Sequence, residues 1–218
     1  MTQTKNFRGL RHFIWDFDGT LFDTYPVIIQ NLRDALARFG RDAVPAEAMK
    51  LMLNNIPSAM DFYAEKFEIN RDALHDAYQE FHRQANAEMA APPMEGVREV
   101  LQRICDTGRY NYVFTHRPLW ETRAYLEKHH LTGLFRELVG PETPGFAWKP
   151  APDAVVYLLD KYRMAPEETA MVGDREIDLG SGRSAGVKTI HVVCRMAPED
   201  LVCDWRLEDY RTMLEMLG

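Results

Sequence analysis

In the stretch Ile14-Trp15-Asp16-Phe17-Asp18-Gly19, two aspartates two residues apart close an apolar run. Leu10 to Phe17 is short, rich in β-formers and preceded by Gly9, so it reads as a strand. Residues i and i+2 share a face of a strand, which sets Asp16 and Asp18 side by side near its carboxyl end. Adjacent carboxylates repel and resist joint desolvation, so a site that keeps both needs a cation or a shared proton. A calcium loop does not fit, because Gly19 follows Asp18 directly and no glutamate closes a twelve-residue loop.

Other polar residues close other apolar runs. YNYVFT ends at Thr115, followed by His116 and Arg117; TAMVG runs into Asp174, and GDREID adds Asp178. Lys149 stands in the proline-bounded segment WKPAPD. The carboxylates suit a hard divalent cation such as magnesium, while a threonine hydroxyl and a lysine ammonium suit phosphoryl oxygens. Together Asp16, Asp18, Thr115, Lys149, Asp174 and Asp178 fit phosphoryl transfer. Asp178 equally suits the first turn of a helix, where its charge favours the dipole.

These residues need elements to bring them together. After the first strand the chain is helical. Leu32, Leu36 and Phe39 recur at helical spacing before Gly40, and a second segment covers Ala46 to Phe67 with an interruption near Ile56-Pro57. A third carries Leu74, Tyr78 and Phe81, with Asn70 as its N-cap. Met49, Met52 and Met60 read as packing residues of this region. Ala91-Pro92-Pro93 interrupts, and the pattern then alternates. Helices are expected over Val97–Ile104, Trp120–Lys128, Asp153–Tyr162 and Asp178–Ala185. Strands are expected over Tyr110–Thr115, Glu137–Val139, Thr169–Gly173 and Val187–Val193. Alternation of this kind predicts an α/β fold with a doubly wound, mainly parallel, Rossmann-like sheet. The domains are then a catalytic core, 1–23 with 92–218, and an inserted α-helical cap, 24–91. In such sheets ligands bind beyond the carboxyl ends of the strands, where all six residues fall.

Composition narrows the function. At 218 residues, 46% hydrophobic and 27% charged, the chain has an ordinary soluble composition. A net charge of −7 without a basic stripe argues against nucleic acid as a partner. No apolar run approaches the ~20 residues of a membrane helix, and the first residues lack a signal-peptide core. Cys105, Cys194 and Cys203 form no metal-type spacing and read as reduced, which suits the cytoplasm.

The four stretches WDFDGT, VFTHR, Lys149-Pro150 and GDREID, in this order and at strand ends, resemble the motifs of the haloacid dehalogenase-like superfamily. The likeness is to its phosphoglycolate-phosphatase-like branch with a small helical cap. It implies that Asp16 attacks phosphorus and that Asp18 acts as general acid and base, protonated in the first half-reaction. It implies a magnesium ion held by Asp16, the main-chain carbonyl of Asp18 and Asp174, with Asp178 acting through water. Thr115, His116 and Lys149 are its phosphate-binding residues, and a small phosphorylated metabolite is its substrate. Many relatives carry asparagine after the motif threonine, so His116 is a departure, and Arg117 has no assigned role. The same residues would serve a phosphoglucomutase-like isomerase. A receiver-type phosphate-binding protein shares the chemistry but is usually shorter and lacks the insert.

Overall fold

The computed structural model describes residues 6–45, 47, 48, 51, 56–194 and 201–218. Within them six strands make one sheet: β1 (His12–Trp15), β2 (Tyr110–Phe114), β3 (Phe135–Val139), β4 (Thr169–Gly173), β5 (Lys188–Val192) and β6 (Trp205–Leu207). Their order is β3-β2-β1-β4-β5-β6 and every neighbouring pair is parallel. The chain therefore moves outward from β1 in one direction through β2 and β3, and in the other through β4, β5 and β6. β1 and β4 flank the point where the order reverses, the usual place for a ligand crevice.

The strands are apolar almost throughout because both faces of a parallel sheet are covered. On one face Ile14, Tyr112, Phe114 and Met171 pack against Val155 and Leu158 of helix Asp153–Tyr162. On the other, Trp15 packs against Tyr210 of the last helix, Tyr210–Leu217, and Trp15 Nε1 donates to Asn111 Oδ1 at 2.9 Å. Each such buried side chain contributes roughly 1.5–3 kcal/mol, so the strand interiors hold the sheet and the charged residues at their ends are carried by it.

The chain divides into two compact units, Met1–Phe22 with Pro93–Gly218, and Asp23–Pro92. The second contains α1 (Tyr25–Ala37), α2 (Ile56–Phe67) and α3 (Arg71–Glu88). The helices of the first are α4 (Val97–Asp106), α5 (Leu119–Lys128), α6 (Asp153–Tyr162), α7 (Glu176–Ser184) and α8 (Tyr210–Leu217). The stripe Val97, Val100, Leu101 and Ile104 is buried in α4, as its 3.6 period requires. Asn70 caps α3 by accepting from the Ala73 amide.

The expected interruption at Ile56-Pro57 is the start of α2, since proline is tolerated in a first helical turn. Met60 is buried; Met49 and Met52 lie outside the described residues. The chain crosses between units twice. The Asp23 amide donates to the Pro92 carbonyl at 2.9 Å, and the Met94 amide donates to the Leu21 carbonyl at 2.9 Å. No helix among the described residues is long and apolar enough to cross a membrane.

Candidate active site

Asp16 directly follows β1, and its amide continues the ladder by donating to the Val172 carbonyl at 2.9 Å. Thr115 and Asp174 directly follow β2 and β4. The parallel register aligns Trp15 with Val113 and Val172, so the three strands end within one residue of each other and the residues that follow them converge. Lys149 arrives from the loop before α6, and Asp178 from the first turn of α7. Gly173 is needed at the end of β4: a Cβ there would lie 2.3 Å from Asp178 Cβ. Its absence lets the Asp178 side chain fold over the strand end.

Lys149 is the centre of the cluster. Its Nζ donates to Asp16 Oδ1 at 2.5 Å and to Asp178 Oδ1 at 2.9 Å, and lies 4.7 Å from the centroid of the Phe114 ring. All three charged side chains are buried. Burial works against the ammonium, but Asp16 and Asp178 together outweigh it and raise its pKa. Asp178 is lowered: burial opposes its charge, while Lys149, Arg175 and the Arg175 amide at 3.0 Å favour it more strongly. Asp16 is pushed up to about 6, first by burial and then by Asp178, with Lys149 only partly compensating.

Asp174 completes the group, held by a hydrogen bond of 3.1 Å from the Thr20 hydroxyl to its Oδ1. Asp16, Asp174 and Asp178 each offer an oxygen within 4.8 Å of the others. Asp16 Oδ2 is buried without a hydrogen-bond partner among the described residues. Three converging carboxylates, with Lys149 bridging two of them, Arg175 Nε 3.8 Å from Asp178 Oδ2 and one Asp16 oxygen orphaned, make a donor set suited to a hard divalent cation.

The carboxylate of Asp18 is outside that group. Gly19, at φ +80°, turns the chain, and its amide donates to the Phe22 carbonyl at 2.8 Å. Asp18 Oδ1 accepts from Nη2 and Nε of Arg117 at 2.6 and 3.2 Å, and Arg117 Nη1 donates to Glu121 Oε2 at 2.7 Å. The charged group that Asp18 meets is thus Arg117, whereas the sequence paired it with Asp16. Thr115 is buried, and its Oγ accepts from the Arg117 amide at 3.0 Å, which leaves the hydroxyl proton to donate.

His116 also takes a more definite part than the sequence gives it. Its Nε2 accepts the Lys149 backbone amide at 2.8 Å, so the ring positions the lysine. Burial, then the Lys149 and Arg175 charges, lower its pKa to about 3, so the ring is neutral with its proton on Nδ1. Edge contacts with Phe146 and Trp148 fix its plane.

Sequence reasoning missed Arg117 in its role, Glu121 and Thr20. The i, i+4 spacing of Arg117 and Glu121 was a readable signal of a pair; the link to Asp18, 99 residues away, was not.

With this geometry the relatives can be compared. The chain is 27% identical to a phosphoglycolate phosphatase of Photobacterium profundum over 198 residues, covering 87% of this chain and 84% of that protein. It is 26% identical to an N-acetylmuramic acid 6-phosphate phosphatase of Pseudomonas aeruginosa over 199 residues, covering 90% and 88%. The crystal structure of a predicted phosphoglycolate phosphatase from Haemophilus somnus superposes with a TM-score of 0.84 at 21% identity, covering 96% of this chain and 99% of that one, which establishes a shared fold. The family model described as haloacid dehalogenase-like hydrolase matches residues 13–192, from the second residue of β1 to the last of β5. The chain belongs to the haloacid dehalogenase-like hydrolases.

Proposed function

We propose that this hydrolase is a magnesium-dependent phosphatase of small phosphate monoesters, working through an aspartyl-phosphate on Asp16. The observation that carries the reading is Lys149 bridging Asp16 and Asp178 beside Asp174 at the carboxyl ends of β1 and β4. Asp16 attacks phosphorus, an Asp16 oxygen–phosphorus bond forms, and the bond to the alcohol oxygen breaks while Asp18 supplies that oxygen with a proton. Water then attacks phosphorus, Asp18 takes its proton, and the Asp16 carboxylate is released with inorganic phosphate. Lys149 and the Thr115 hydroxyl hold the equatorial oxygens, and the neutral ring of His116 keeps Lys149 in register.

Asp16, Asp174, Asp178 and the main-chain carbonyl of Asp18 are the residues to hold magnesium. Bound there, the ion supplies positive charge against the carboxylates and the transferring phosphoryl group. Two relatives with different alcohols, phosphoglycolate and N-acetylmuramic acid 6-phosphate, support a small phosphorylated metabolite as the substrate class. In this reading the core, 1–23 with 92–218, performs the chemistry, and the helical insert, 24–91, selects the alcohol.

The test is hydrolysis of p-nitrophenyl phosphate with magnesium and with EDTA, beside Asp16→Asn. Turnover that needs magnesium and disappears in the variant is the expected result. Equal turnover in EDTA, or by the variant, overturns the mechanism.

A further inference from the structure

The steps above use Asp18 but give Arg117 and Glu121 no task. Both are charged and nearly inaccessible, with 6% and 7% of their side chains exposed, while Asp18 keeps 21%. Burying a glutamate and an arginine together is expensive and seldom gains stability over apolar residues of the same size. Here the pair has a specific geometry. Glu121 engages Nη1, which fixes one side of the planar fork. Nη2 and Nε are thereby aimed at a single oxygen of Asp18. The Phe17 and Tyr125 rings each lie with their centroids 5.5 Å from the guanidinium carbon and confine it further. The Thr115 hydroxyl oxygen anchors the Arg117 backbone as well. The arginine can neither rotate about its fork nor withdraw without vacating a buried position.

We infer that Arg117, held by Glu121, is a positioning residue for Asp18 and sets how strongly the enzyme depends on the leaving group. The inference rests on the reading of Asp18 as proton donor. Two of the guanidinium N–H groups fix the plane of the Asp18 carboxyl through Oδ1, and hence the direction in which Oδ2 lies. A leaving oxygen of high basicity needs a proton delivered along a fixed line; one of low basicity departs with little help. Loss of the clamp therefore falls hardest on esters with basic leaving groups.

Phenyl phosphate and p-nitrophenyl phosphate differ in leaving-group basicity with little change of shape. The value of kcat/KM covers the steps through departure of the phenol, whereas kcat includes the dephosphorylation common to both esters. For Arg117→Met we expect kcat/KM for phenyl phosphate to fall roughly a hundredfold and for p-nitrophenyl phosphate by no more than about tenfold. Arg117→Lys should recover part of the difference. Because Arg117→Met removes the cation beside the buried Glu121, the double variant Arg117→Met, Glu121→Met carries the same measurement with both charges removed. Equal losses on the two esters, in protein whose thermal unfolding remains cooperative, would make the pair merely structural and overturn the inference. Asp18→Asn separates the two failures: if it retains turnover, or if the wild type hydrolyses neither ester, the underlying mechanism falls and the inference falls with it.

Discussion

Two buried clusters stand at the end of β1, each a cation between carboxylates. Lys149 joins Asp16 to Asp178; Arg117 joins Asp18 to Glu121. The first uses a compact ammonium, the second a planar fork between aromatic rings. The first also holds Asp174 beside the bridged pair and, among the described residues, an unpartnered oxygen on Asp16, whereas the Arg117 fork meets a carboxylate on either side. The difference separates a place that must accept charge from one that must hold a geometry. One cluster holds a carboxylate whose charge burial disfavours; the other fixes a direction.

The largest effect should come from Asp16→Asn, which removes the proposed nucleophile and is expected to lower kcat by roughly 10⁴-fold or more, measured in steady state with saturating magnesium. Next is Lys149→Met. It leaves Asp16 and Asp178 buried without their cation, so we expect a loss of about 3–5 kcal/mol in urea unfolding, together with a kcat reduced roughly 10²–10³-fold.

The third distinguishes the clusters by sign. The folded pKa of Asp16 is raised to about 6 from an ordinary value of 3.8, so the fold binds this proton more tightly than the unfolded chain does. Its ionisation therefore lowers stability as pH rises from about 4 to about 6, and Asp16→Asn removes that slope. Without magnesium at pH 7 the variant should be more stable than wild type, whereas Arg117→Met should be less stable. A less stable Asp16→Asn protein would refute the idea that the ionised Asp16 carboxylate opposes folding.

The fourth effect is of similar but slightly smaller size. Magnesium at a hundred times its dissociation constant should raise stability by about 2.7 kcal/mol in wild type, with a much smaller rise at the same concentration in Asp174→Asn. Equal stabilisation of both proteins would place the ion elsewhere.

Much of this was legible in the residues. The strand Thr169–Gly173 and the helix Asp153–Tyr162 were read to the residue, because a short run of β-formers ends in Gly-Asp and a helical stripe ends at a change of pattern. The convergence of Asp16, Thr115 and Asp174 follows from where a parallel sheet sets its strand ends, whereas Lys149 comes from the loop before α6. Less visible were β6 and α8. β6 is three residues long, too short for alternation to register; α8 does carry Tyr210, Met213 and Leu217 on one face, with Asp209 as its cap. The Asp18–Arg117 pair was invisible for another reason. Asp18 had been matched with its nearest neighbour in sequence, and the neighbour that matters arrives from β2 through tertiary packing. His116 stood ambiguous for the same reason, since its partner is an amide 33 residues away.

The Tyr210 hydroxyl donates to the carbonyl of Thr20, whose own hydroxyl holds Asp174. A residue near the end of the described chain thus supports the loop that follows the first strand. On the ribosome Asp16, the proposed nucleophile, is made early, about 190 residues before this support exists. Until α8 has emerged and docked, the nascent protein can contain every catalytic side chain and still lack the arrangement that would let them act together.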